Sequence, residues 1–262
     1  MSAVRIGLTL PSFREDGEPL VAVARAAEAA GLDGVFAYDH LFRHAADGAL
    51  RPALEFAATM GALAAETRAI TIGSLVARAT LRPAAVLANV FDTARRIAGK
   101  RVVAGLGAGD EESRTEMETF GYEFGTAITR LHAFRDALPV IRERMAIGNP
   151  PPVRGRIPIM IGGGGEKVML RLVAEHADIW HGFGTPDEYR HKSGVLDAHC
   201  AAIGRDPAEI ERSVMFEAHE LGGDDLFDAY VDAGATYFFY SAPGPEYDLD
   251  GLRLLLDWRA RR

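Results

Sequence analysis

A single (β/α)8 barrel is the fold this sequence predicts, and three observations predict it. The chain has 262 residues, about the length of one complete α/β barrel. Eight short β-rich runs alternate with longer helical patterns without a break in the order, which is the signature of parallel βαβ units. The composition, 48% hydrophobic and 25% charged with 28 glycines, is that of a protein that buries a large core. The chain is therefore read as one domain over residues 1–262.

Strands are expected at residues 5–10, 34–38, 70–77, 101–106, 157–161, 178–183, 212–217 and 236–241. The first helix is expected over 19–30, where apolar residues recur at helical spacing and Gly31 supplies a stop. A second clear pattern covers 126–145. It places Ile128, Leu131, Phe134, Leu138 and Ile141 on one face, with Pro139 expected to bend it or mark a boundary. After Gly148, the run Asn149-Pro150-Pro151-Pro152 cannot continue a helix and reads as a loop into the fifth strand. Residues 249–262 supply the last helix. An open doubly wound sheet is the structural rival, because alternation alone does not say whether the eighth strand pairs with the first. Closure removes exposed edges, and eight regular units suit it best.

The formal net charge of −8 argues against a general affinity for nucleic acid, since phosphate binding needs clustered Lys and Arg. No apolar stretch reaches the ~20 residues of a membrane helix, and no signal-length segment opens the chain. The single cysteine, Cys200, allows no internal disulfide, so a reducing cytoplasm is the expected compartment.

Barrel chemistry belongs at the C-terminal ends of strands. There the sequence places Asp39 and His40 after the second strand, and Arg78 and Thr80 after the third. Gly107, Gly109, Asp110 and Glu111 follow the fourth, and Gly162, Gly163, Gly164 and Gly165 follow the fifth. A glycine run between strand and helix can turn backbone N–H groups toward an anion, although a tight turn needs the same residues. It is not a Walker loop, because no Gly-Lys-Ser/Thr ending follows, and Gly105-x-Gly107-x-Gly109 lacks the dinucleotide spacing. His40 can serve as a proton carrier near neutral pH or as a structural hydrogen-bonding group. With Asp39, His181 and His219 it could build a metal site, but the first strand lacks a His-x-His pair, and no metal is expected. His132, His176, His199 and Cys200 fall within helical patterns, and Trp180 and Phe183 read as core or pocket wall.

Several stretches, taken in order, resemble the luciferase-like monooxygenase superfamily and its deazaflavin-dependent branch. They are Ala26-Ala27-Glu28-Ala29-Ala30-Gly31-Leu32-Asp33-Gly34-Val35-Phe36 leading to Asp39-His40; Ile72-Gly73-Ser74-Leu75-Val76; Arg101-Val102-Val103-Ala104-Gly105-Leu106-Gly107-Ala108-Gly109; and Ile159-Met160-Ile161 running into the tetraglycine and Glu166. Ala177-Asp178-Ile179-Trp180 and the segment from Gly204 to Ser213 complete the match. The resemblance implies a bacterial luciferase-like TIM barrel whose flavin-type ring lies over the third strand. A non-proline cis peptide is expected in the Ser74, Leu75, Val76 segment. It implies that His40, held by Asp39, moves protons; that Gly107, Ala108, Gly109 and Asp110 line the ring or its chain, with Asp110 a second catalytic candidate; and that Gly162 to Gly165 receive the phosphate. Members that use flavin mononucleotide often carry an arginine near Ala108, and this chain does not, so coenzyme F420 is the expected cofactor and FMN the alternative. A small-molecule substrate is implied, with a homodimer formed through helices after strands two to four, where the Ala/Val-rich run 84–98 suits close packing.

Overall fold

The computed structural model describes residues 4–15, 17–44, 48–147, 156–217, 220–242, 247 and 249–262. Eight parallel strands form its centre: β1 (Arg5–Thr9), β2 (Gly34–Ala37), β3 (Thr71–Ser74), β4 (Val102–Gly107), β5 (Ile159–Gly162), β6 (Ile179–Gly182), β7 (Glu211–Glu217) and β8 (Tyr237–Ser241). Each pairs with the next, and β8 returns to β1 in the register Arg5↔Tyr237 to Leu8↔Tyr240. The sheet is thus closed, and the open alternative does not apply. The helices are α1 (Glu18–Ala29), α2 (Phe56–Glu66), α3 (Ala84–Ala98), α4 (Arg114–Thr119), α5 (Ala127–Ile147), α6 (Met169–His176), α7 (Pro186–Ala202), α8 (Asp224–Asp232) and α9 (Asp250–Arg261).

The two faces of each strand bury separately, as a period of two requires. Ile6, Leu8, Ile72, Val102, Ala104, Ile161, Trp180 and Phe238 join the core between barrel and helices. Phe36, Leu75, Val103, Met160, Ile179, Tyr237 and Phe239 form a second core inside the barrel, with Val76 and Met215 partly buried upon it. The lumen holds those rings because glycines face them: a Cβ at Gly7 would lie 2.5 Å from Phe239 Cε1, and one at Gly73 2.6 Å from Phe36 Cε1.

Three local features depart from the sequence reading. The third strand is not continuous. It breaks at a cis Leu75–Val76 peptide and resumes as Ala77–Arg78, which pairs with Leu106 and Gly107 of β4. Pro139 lies inside α5 without ending it. Phe134, Leu138 and Ile141 are buried around it, and this tertiary packing outweighs the one lost backbone bond. A small antiparallel hairpin, Phe42–His44 with Leu50–Pro52, follows β2, where no strand was anticipated. The Asn149-to-Pro152 loop and His219 lie outside the described residues.

Candidate active site

The end of β2 delivers Tyr38, Asp39 and His40 to the C-terminal mouth of the barrel. His40 Nδ1 lies 2.7 Å from Glu116 Oε1, a carboxylate brought from α4. Glu116 is buried and saturated: Arg78 Nη1 donates to Oε1 at 2.7 Å, and the Leu41 and Phe42 amides donate to Oε2 at 2.6 and 3.3 Å. Burial alone would raise its pKa, but the hydrogen bond and charge of His40, the Leu41 amide and the Arg78 guanidinium outweigh it and hold the carboxyl down to about 2. An ionised carboxylate only accepts, so the hydrogen of this contact is carried by Nδ1. Nε2 has no partner among the described residues, and the half-buried ring lies beside Phe13 at 5.4 Å between centroids.

Asp39 has a different task from the one the sequence suggested. Its carboxylate is buried and takes a two-pronged bond from Arg82 at 2.7 and 3.0 Å, plus the Arg78 amide at 3.1 Å. Its backbone carbonyl accepts from Arg78 Nε at 3.1 Å. His40 is therefore held by Glu116, while Asp39 anchors the two arginines that follow the third strand.

The floor of the mouth is apolar. Leu75 is buried in the lumen core, and the side chains of Val76 and Met215 are partly buried upon that core. Neighbouring strands must yield space for this: a Cβ at Gly105 would lie 1.8 Å from Ser74 O, and one at Gly107 2.6 Å from Val76 Cγ2. Ser74 is buried and spends its hydroxyl on Gly105 O at 2.7 Å. Tyr38 Oη and Ser241 Oγ, 3.2 Å apart, close the opposite rim.

Around this platform lie groups suited to an anion. Gly163 adopts φ +135°, and its N–H is taken by His181 O at 3.1 Å. The next two glycines make no such bond among the described residues, and a Cβ at Gly164 would touch Lys192 Nζ at 3.2 Å, so an ammonium group stands against the turn. On the β4 side, a groove of about 280 Å³ is lined by Arg78, Gly109, Phe124, Thr129 and Arg130 among others. Arg78 Nη2 and Arg130 Nε are buried there without a partner among the described residues. The chain thus gathers two arginines beside Ala108 and Gly109 through space, although none is adjacent in sequence. Asp110 sits exposed at the rim, and its Oδ1 caps the turn behind it by accepting from Ser113 N at 3.1 Å and Ser113 Oγ at 3.0 Å. On β6, buried His181 bonds Ser213 Oγ through Nδ1 at 2.9 Å. Among the described residues no three His, Cys, Asp or Glu side chains converge as a metal site.

The residues chosen from the sequence therefore fall at one mouth, with Ser74 and Leu75 beneath its surface and Val76 on it. What the sequence concealed is Glu116. It lies six residues past Asp110 in a six-residue helix of little apolar periodicity, and only its burial against His40 and Arg78 marks it. An apolar platform, a proton-carrying imidazole and flanking cationic groups together suit a flat heteroaromatic cofactor with an anionic tail.

Comparison with known proteins agrees with this reading of the fold. An F420-dependent secondary alcohol dehydrogenase, solved with an F420-acetone adduct, superposes with a TM-score of 0.82 at 16% identity, covering 97% of each chain. The coenzyme F420 dependent tetrahydromethanopterin reductase from Methanopyrus kandleri gives 0.74 at 15% identity, over 98% of this chain and 100% of the other. In sequence, an F420-dependent glucose-6-phosphate dehydrogenase of Amycolatopsis mediterranei (strain U-32) is 35% identical over 142 residues, which are 53% of this chain and 41% of that enzyme, less than half its length. The family model for luciferase-like monooxygenases matches residues 3–220, most of the barrel. The chain belongs to the luciferase-like monooxygenase family.

Proposed function

We propose that this barrel transfers hydride between coenzyme F420 and a small organic substrate, with His40 carrying the accompanying proton. The observation behind this reading is the Arg78–Glu116–His40 chain, in which a buried carboxylate engages His40 Nδ1 and leaves Nε2, at the C-terminal mouth of the barrel, without a partner among the described residues. The relatives named for F420 dependence support the choice of cofactor. When bound, the deazaflavin supplies the hydride donor or acceptor.

The residues then divide the work. Val76 and Met215 carry the ring, with Gly107, Ala108 and Gly109 along its side. The tetraglycine turn and Lys192 hold the phosphate, and His40 Nε2 takes a proton from a substrate hydroxyl or returns it to a carbonyl oxygen. Asp110, exposed at the rim, is the second candidate for proton transfer. Replacing His40 with alanine should slow turnover by about 10²–10⁴-fold while changing cofactor affinity less than about threefold, in line with its lacking a ring-binding bond. Side-by-side fluorescence and absorbance titrations with F420 and FMN test the cofactor. Saturable binding of F420 supports the reading, and tight binding of FMN alone overturns it.

One observation favours a second reading, an FMN-dependent monooxygenase using dioxygen. Arg78 and Arg130 lie at the very groove beside Ala108 and Gly109 where members using FMN place an arginine. The same titration separates the two. The proposal extends to a homodimer packed through α2 to α5, supported by the exposed Val86 and Ile97 on α3, and to a cytoplasmic setting, supported by a free, buried Cys200. Among the described residues no helix is long and apolar enough to cross a membrane.

A further inference from the structure

His181 is the polar group of the mouth that the proposed chemistry leaves unused. Its neighbour Trp180 points outward and stacks on Tyr189 of α7, with ring centroids 4.9 Å apart. Alternation along β6 therefore turns His181 into the lumen, where its ring meets Phe239 edge-on at 5.6 Å and Phe183 at 4.9 Å. It pairs across the sheet with Gly162, and Gly162 lies against Val76, a Cβ there falling 3.3 Å from Val76 Cγ1. His181 thus stands at the edge of the same platform that carries the exposed face of Val76.

The hydrogen bonds determine which nitrogen is bare. Ser213 Oγ has one hydrogen, which it gives to Trp180 O at 3.1 Å. The 2.9 Å contact between Ser213 Oγ and His181 Nδ1 must then be donated by the imidazole, so the proton sits on Nδ1. Nε2 is left as an acceptor, buried and without a partner among the described residues, on a side chain only 2% exposed. Burial pushes the pKa of this imidazole down to about 3, so Nε2 does not acquire a proton near neutrality. A buried acceptor with no donor is costly, and an apolar side chain would fill the position at less cost. A donor from a molecule in the mouth resolves it.

We infer that His181 Nε2 accepts a hydrogen bond from the imide N–H on the pyrimidine edge of the cofactor ring, and so fixes the ring's orientation on the Val76 platform. This rests on the reading of the mouth as a flavin-type site. The ring is preferred over a substrate hydroxyl because His181 lies at the level of the floor, whereas His40 stands half-exposed at the rim, where a substrate would follow the ring in. His181 is on this account a positioning residue. It requires an N–H at that edge, and a ring methylated on the imide nitrogen would bind poorly.

The test compares wild type with His181→Leu, which removes the acceptor, and His181→Gln, which restores one at similar reach. Each is titrated with F420 and with FMN, which share the imide. His181→Leu should bind the cofactor roughly tenfold more weakly, with His181→Gln within about threefold of wild type, as expected for one hydrogen bond. In the ¹⁵N NMR spectrum of wild type, Nε2 of His181 should be unprotonated in the free protein and should shift as cofactor is added. The inference is overturned if His181→Leu binds as wild type does, or if Nε2 carries the proton. The NMR readout decides the matter even where a variant fails to fold. If wild type retains FMN and not F420, the deazaflavin reading fails while weaker FMN binding by His181→Leu still sustains the role of His181. A wild type that binds neither cofactor overturns both.

Discussion

Glu116 joins an imidazole to a fixed cation, holding His40 and Arg78 on one carboxylate oxygen. Two consequences follow from its burial. Replacing it with glutamine leaves the Arg78 guanidinium buried beside a neutral amide, which should cost about 3–5 kcal/mol in a urea titration at pH 7. The same variant replaces an acceptor-only carboxylate with an amide that can turn either its oxygen or its N–H to His40 Nδ1, so the ring proton is no longer held on that nitrogen and turnover should fall by about 10²-fold with cofactor affinity little changed. The acid side follows from linkage. A carboxyl held near 2 when folded and near 4.5 when unfolded stabilises the protein fully above pH 4.5, and that stability is lost as the pH falls through 2. The difference between wild type and Glu116→Gln should therefore shrink as the pH drops from 5 towards 2. His181 contributes in the opposite sense of charge. Folded, it stays neutral down to about 3, while the unfolded chain binds a proton near 6.5, so stability should decline as the pH falls from 6.5 to 3. His181→Leu should flatten that part of the curve.

Among elements, the third strand and its neighbour β4 are fitted to each other. The chain leaves Ser74, crosses the cis Leu75–Val76 peptide and resumes pairing at Ala77, and the side chain of Val76 comes to lie over Gly107. Gly105→Ala would press a methyl group onto a backbone oxygen that cannot move independently of the strand, at 1.8 Å. A loss of about 3 kcal/mol is expected, measurable by chemical denaturation. Gly107→Ala meets only the Val76 side chain, at 2.6 Å. It should leave the barrel folded and weaken cofactor binding by lifting the platform.

The same elements show what could be read from residues alone. The eight strands were legible because each is a short β-rich run bounded by turns, and those runs bury on both faces. Pro139 misled, because propensity speaks for an isolated helix while α5 is held by its contacts with α3. Glu116 and Arg130 escaped for another reason. Their roles depend on where α4 and the start of α5 fold back over the β4 end, and a six-residue helix leaves no periodic trace from which to place it.

For the molecule as a whole, closure of the barrel is what turns scattered residues into a site. β2 brings His40, β3 Val76, β5 the tetraglycine turn and β6 His181, all at one rim because parallel strands share a direction. The arrangement separates the tasks: rigid strands carry the platform, and α4 supplies the residue that orients the base. The measurement that tests this most directly is an NMR titration of ¹⁵N-histidine-labelled protein with F420. His40 should respond saturably while His132 on α5 and His199 on α7 should not, and Glu116→Gln should alter the His40 resonance before any cofactor is added. A protein in which F420 moves His132 or His199 instead, or moves no histidine at all, would contradict this arrangement.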